Sequence, residues 1–228
     1  NMERALREDE MWYFLAGDRA KPSSCIDYLY KVLYLAEKGK IPDNIDYPIF
    51  SSLEDEVLTD LDMLIKWKHI KKCFYVITGW YNDPLIYNLV GYLEGRKIPK
   101  NSKTDFPPYR EELLANLYKF VTTENEGKKL PTNEDFVKYV KRLCRNSIPA
   151  NFINLRFDTD KNGVFNLLFL FNIALIINHK RTGNKNSDAK SSGKGSQTSI
   201  SRFPFHVFHS LNWNVEHISP QNPKDKTK

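Results

Sequence analysis

Apolar residues recur every three to four positions through most of residues 1–178, and the breaks between these stripes fall on proline, glycine and capping residues. A 3.6-residue period places such side chains on one face of an α-helix, so the pattern commits the chain to an all-α architecture, a bundle of about seven to nine helices. Glu8–Leu15 predicts a short helix stopped by Gly17. A second stripe, Ile26, Leu29, Tyr30, Leu33 and Ala36, runs to Gly39, with Pro22 expected in its first turn. Ser51 or Ser52 is the expected cap of a long helix through Leu53, Val57, Leu61, Leu64, Ile65 and Ile70 to Ile77. Asn82-Asp83-Pro84 reads as a stop and restart, opening a helix that carries Leu85, Leu89, Val90 and Leu93. Pro107 and Pro108 precede a stripe of Leu113, Leu114, Leu117, Phe120 and Val121. Thr132 with Asp135 matches a capping box ahead of Phe136, Val140 and Leu143. After a turn or two over residues 148–157, the apolar run Val164 to Ile177 is expected as a buried helix.

That run spans 14 residues and includes Asn166 and Asn172, which is too short and too polar to cross a bilayer. Cys25, Cys73 and Cys144 are far apart and form no C-x-x-C pair, so neither a disulfide framework nor a zinc ribbon is expected. Reduced thiols and the lack of a signal peptide fit the cytoplasm. Asn1 ahead of Met2 reads as the scar of a removed tag, and the chain is expected to be a piece of a larger protein.

Residues 181–201 change character. Thr182 to Ser196 consists of Gly, Ser, Asn, Lys and other small or polar residues, and such a stretch lacks the apolar groups that would offset the entropy of ordering. It is expected as a disordered basic linker or loop between a helical domain (1–180) and a last unit (202–228). Basic and acidic residues balance at 25 each up to His179, whereas the remainder holds nine basic and three acidic residues. The net charge of +6 therefore sits in that stretch. Lys180, Arg181, Lys185, Lys190, Lys194 and Arg202 are the candidate contacts to a polyanion, since phosphate-bound counterions are released by such groups.

Several motifs have plainer readings. Asp158-Thr159-Asp160-Lys161-Asn162-Gly163 has the first half of a calcium-loop spacing, but Phe169 stands where the bidentate glutamate belongs, so a capped turn is expected. His206 and His209 are neighbours on a helix face and, with His217, have the makings of a three-histidine metal set, but such pairs are more often surface or half-buried histidines, which is the reading expected here. Trp12-Tyr13-Phe14, Trp67 and the aromatics of Trp80 to Tyr87 are expected to pack between helices rather than stack on bases.

The chemistry concentrates in Trp213-Asn214-Val215-Glu216-His217-Ile218-Ser219-Pro220-Gln221-Asn222, a short β-type run ended by proline. A neutral imidazole near pH 7 accepts a proton from water, and a hard cation stabilises the oxyanion of phosphodiester cleavage. Neighbouring residues of a regular strand point to opposite faces, so Glu216 and His217 share a metal only at a bulge or a frayed end. These words resemble the opening motif of the HNH-type nuclease domain of GmrSD-like, modification-dependent (Type IV) restriction endonucleases. Asp9 to Leu15, Ile26 to Leu29, Trp80 to Leu93, Leu167 to Ile173 and Arg202 to Phe205 are similar to words in the helical middle of the same family, in the same order.

The resemblance implies that residues 202–228 are the truncated start of an HNH-type nuclease domain carried on a helical region, with a short β stub. It implies His217 as the catalytic base, Glu216 as a ligand of Mg²⁺ or Mn²⁺, and DNA as partner, in defence against phage DNA with modified bases. The family's further asparagine and histidine have no counterpart after Asn222, so this piece is expected to be inactive alone and to hold no metal by itself. The other reading is a non-enzymatic helical module that binds nucleic acid or a protein, with Trp213 to Ile218 merely a structural strand.

Overall fold

The protein was analysed as a computed structural model, which describes residues 1–17, 19–40, 59–97, 110–123, 129–178 and 200–210. These form nine α-helices and one 3₁₀ turn, with no strand among the described residues. In chain order they are α1 (Met2–Leu6), α2 (Asp9–Ala16), α3 (Ile26–Lys38), α4 (Asp60–Asn82), α5 (Pro84–Gly95), α6 (Arg110–Thr122), α7 (Asn133–Asn146), the 3₁₀ turn Phe152–Asn154, α8 (Lys161–Asn178) and α9 (Phe205–Ser210). The all-α class read from the apolar period is therefore the observed one. The expected β stub lies outside the described residues.

Helix α5 is the centre of the fold. Nine of its 12 residues are buried, which leaves no solvent face for most of its length. It starts where expected, because the Asp83 carboxylate accepts the N–H groups of Leu85 (2.9 Å) and Ile86 (3.0 Å), and Pro84 needs no partner for a donor it lacks. Around it lie α4, α7, α8 and α9, while α3 packs on α6 and α4 to form the other half of the core. Aromatic contacts link the layers: Trp80 stacks on Phe136 at 4.9 Å and Phe14 on Tyr87 at 5.4 Å. The aromatics of Trp80–Tyr87, with Trp12 and Phe14, are thus packed between helices as expected.

Local chemistry sets the other boundaries. Gly17 (φ 68°) and Gly39 (φ 77°) end α2 and α3 in backbone conformations that disfavour a side chain. Thr132 and Asp135 form the reciprocal box that opens α7. Asp160 accepts the Gly163 N–H at 2.7 Å, so the calcium-like word is the capped start of α8.

Three expectations need correction. Pro22 does not lie in the first turn of α3, which begins at Ile26. The Glu3 carboxylate accepts the N–H groups of Cys25 (3.0 Å) and Ile26 (3.1 Å), and Arg7 donates to the carbonyls of Pro22 and Ser23, so this stretch is bonded to α1 and the turn after it instead.

The long helix does not run on from Leu53. Thr59 is extended (ψ 160°) and closes a capping box with Asp62, so α4 begins at Asp60 and continues to Asn82. Ser51 and Ser52 lie outside the described residues. In the first half of α4, Leu61, Leu64, Ile65 and Trp67 are exposed, and the Lys71 ammonium lies 5.5 Å from the centre of the Trp67 ring. The expected packing role of Trp67 is overturned.

The third correction concerns α8, which is long and apolar enough to cross a membrane by length and composition, yet is only 22% buried. Gly163, Asn166, Phe169 and Ile173 face the core. Leu168, Phe171 and Leu175, on the opposite side, are 41%, 59% and 50% exposed. Among the described residues, α8 lies against one flank of α5 and the neighbours there do not cover every ridge, so the continuous apolar run is not a wholly buried helix.

The cysteines are free and buried, and burial pushes the Cys73 and Cys144 thiols up to about 12. Cys25 is raised by burial first and then by the Glu3 charge. At pH 8 almost no thiolate exists at these sites. Iodoacetamide at that pH is expected to label none of the three in the folded chain on the timescale that labels all three in urea; mass spectrometry showing one alkylated at the free-thiol rate would contradict the burial. Asp83→Ala is expected to lower stability by about 1 kcal/mol, as loss of an N-cap does, measured by urea unfolding at unchanged m-value.

Candidate functional site

Glu216 and His217, and with them Lys180, Arg181, Lys185, Lys190 and Lys194, lie outside the described residues. What is described is the segment that leads to the Trp213 word, residues 200–210, and it is held to α5 by a donor and an acceptor on one of its edges. Asn88, wholly buried, donates its amide N–H to the Ser201 carbonyl and accepts the Phe203 N–H, each at 2.8 Å. One side chain therefore reproduces for this extended stretch the two bonds of a neighbouring strand. A carboxamide is suited to this because it carries donor and acceptor together.

The side chains that follow fill the space beside α5. Phe203, Phe205 and Phe208 are all buried. Phe208 stacks on Phe169 of α8 at 4.5 Å with 10° between planes, and Phe205 meets Tyr87 at 5.3 Å. Gly91 is required here by contact rather than by backbone angle, since a Cβ at that position would collide with the Phe205 ring. The segment expected to open a second unit thus contributes to the same hydrophobic core as the helices.

Arg202 is the one candidate polyanion contact among the described residues. It is exposed, yet its guanidinium lies 4.7 Å from the Tyr81 ring centre and 5.1 Å from that of Tyr87, and donates to the Tyr81 carbonyl at 2.8 Å. A guanidinium on two aromatic faces is attracted by their quadrupoles and anchors the backbone that bears it. Tyr81 in turn donates its hydroxyl to Glu10 at 3.1 Å. Burial raises the Tyr81 phenol, and the Glu10 hydrogen bond raises it further. Both tyrosines therefore remain neutral aromatic platforms for the cation near pH 7.

His206 is exposed on α9, and among the described residues no three His, Cys, Asp or Glu side chains come together as a metal site. The His206–His209–His217 set falls partly outside what is described. Asn88 and Asn166 were not singled out as anchors from sequence. Asn166 works like Asn88: buried on α8, it bonds both the N–H and the carbonyl of Lys97, each at 2.8 Å. The available signal is an asparagine in register with a run of core-facing apolar residues.

No family model matches the chain, and neither a curated protein nor a solved structure matches it significantly. Asn88→Ala is expected to strip protection from the Phe203 amide in hydrogen exchange and to lower stability by about 1–3 kcal/mol, because two backbone groups are left without partners. An unchanged Phe203 exchange rate would show that the aromatic contacts hold the segment alone.

Proposed function

We propose that this chain is the helical body of a metal-dependent DNA endonuclease that restricts modified phage DNA, and that it carries the HNH-type word Trp213 to Asn222. The observation that carries the reading is convergence. The words resembling the helical middle of the GmrSD-like family are far apart in sequence, and in the fold they meet. Phe14 of the first stacks on Tyr87 of the third, and Tyr28, from the second, meets Trp12 of the first at 5.5 Å. Tyr92 of the third contacts Phe169 of the fourth at 5.2 Å. Arg202 and Phe205 of the fifth lie on Tyr81 and Tyr87 of the third.

A cluster that ends in a clamped segment leading to the nuclease word is what a mount requires, because catalytic groups on rigid supports keep their geometry. In this reading His217 is the base that activates water, Glu216 a ligand of Mg²⁺ or Mn²⁺, and the basic residues from Lys180 to Arg202 approach DNA phosphates.

The test uses the full-length gene product, incubated with Mg²⁺ or Mn²⁺ and phage DNA bearing modified cytosines. His217→Ala is expected to reduce cleavage by roughly 10²–10⁴-fold, the range for loss of a general base. The same cleavage rate in that variant overturns the assignment.

A further inference from the structure

Helix α8 presents three ridges, of which one is buried in the core and a second is half-buried at its edge. Leu167, Leu170 and Ala174, half-buried, form one wall of a groove of about 830 Å³ between α8 and α7. Leu168, Phe171 and Leu175 continue the apolar surface on the exposed side of the same helix. Phe152 of the 3₁₀ turn, 47% exposed, lines one end.

The facing wall is cationic. Helix α7 carries Lys138, Lys141, Arg142 and Arg145, positions that fall on one helical stripe. Lys138 is paired with Glu134 at 2.9 Å, and Arg142 lies over the Tyr139 ring at 5.3 Å. Lys141 and Arg145, one turn apart and both exposed, line the groove, and neither is in an ion pair among the described residues. Among the described residues no aspartate or glutamate lines it.

We infer that this groove is a docking site for an amphipathic helix of a partner protein, with an apolar stripe to cover Leu167, Leu170 and the Phe171 ridge, and acidic residues one turn apart to meet Lys141 and Arg145. Helix-in-groove recognition needs this combination of a concave apolar floor and a charged edge that sets orientation. Shape and charge decide against other occupants. A bilayer surface does not enter a cleft between two helices. A nucleic acid answers the two cations but brings no apolar group to the α8 ridge. A second copy presenting the same patch brings no carboxylate from its described residues to meet Lys141 and Arg145. This inference does not depend on the nuclease reading.

A display library of 18-residue helices, about 27 Å long, selected on the full chain tests it, with Lys141→Glu/Arg145→Glu as the counter-selection target. Enriched peptides are expected to share an i, i+3/i+4 apolar stripe flanked by Asp or Glu. A synthetic copy is expected to bind at least tenfold more weakly to the double variant and to Ala174→Trp, which fills the groove, and to weaken between 50 and 500 mM NaCl. Circular dichroism checks that the variants fold; the double variant changes only exposed side chains and decides the matter if Ala174→Trp does not. Failure to enrich peptides, enrichment of acid-free ones, or equal binding to the double variant overturns the proposal. So does a result in which phosphatidylglycerol vesicles or a 20-base-pair duplex, and no peptide, bind in a way the charge reversal abolishes.

Discussion

A carboxamide inside a helix that has no exposed face is tolerable only when both its donor and its acceptor are met, because an unmatched polar group there costs about 1–3 kcal/mol. Asn88 sits in that position, and the partners it finds are the backbone groups of Ser201 and Phe203. The buried centre of the fold is thereby made incomplete without the segment that leads to Trp213. Asn166 ties α8 to the end of α5 through Lys97 by the same device. Two asparagines, each bonded to backbone on both sides, fix which segments lie against the central helix. The phenylalanines then fill the remaining space without directional requirements of their own.

The nuclease reading gains its physical sense from this arrangement. A general base contributes only if it is held within reach of its water, and a support that shifts loses the geometry. The described residues before Trp213 are anchored by hydrogen bonds, by stacked rings and by the Arg202 guanidinium on two tyrosines. Arg202 shows why a basic residue is ambiguous in sequence. Its charge counts toward the positive stretch, while its planar face and one of its donors serve the fold.

Helix class, the Asp83 restart, the Thr132 box and the Asp160 turn were all legible in sequence, because each depends on residues within a few positions of one another. The errors came where partners are distant. Glu3 and Arg7 reach across 15 or more residues to hold the stretch before α3, and nothing near Pro22 announces them. The apolar period identified α8 as a helix correctly, but period says nothing of how many neighbours a helix will have. The same limit applies to Trp67, an aromatic on a stripe that extends past the helices able to cover it. For the candidate site, the word around His217 is readable by type, whereas the Asn88 clamp is a contact between residues 113 or more apart.

That separation also orders events during synthesis. At about 5–20 residues per second, the ribosome delivers Ser201 roughly 6–23 s after Asn88. In the last part of that interval, once Phe169 has been made, the Phe205 side of Gly91, the faces of Tyr87 and Phe169, and the free carboxamide all await a closing piece that has yet to emerge. Newly made chains therefore pass through a stage with an open aromatic trough, and chaperones that bind such surfaces have their longest opportunity there.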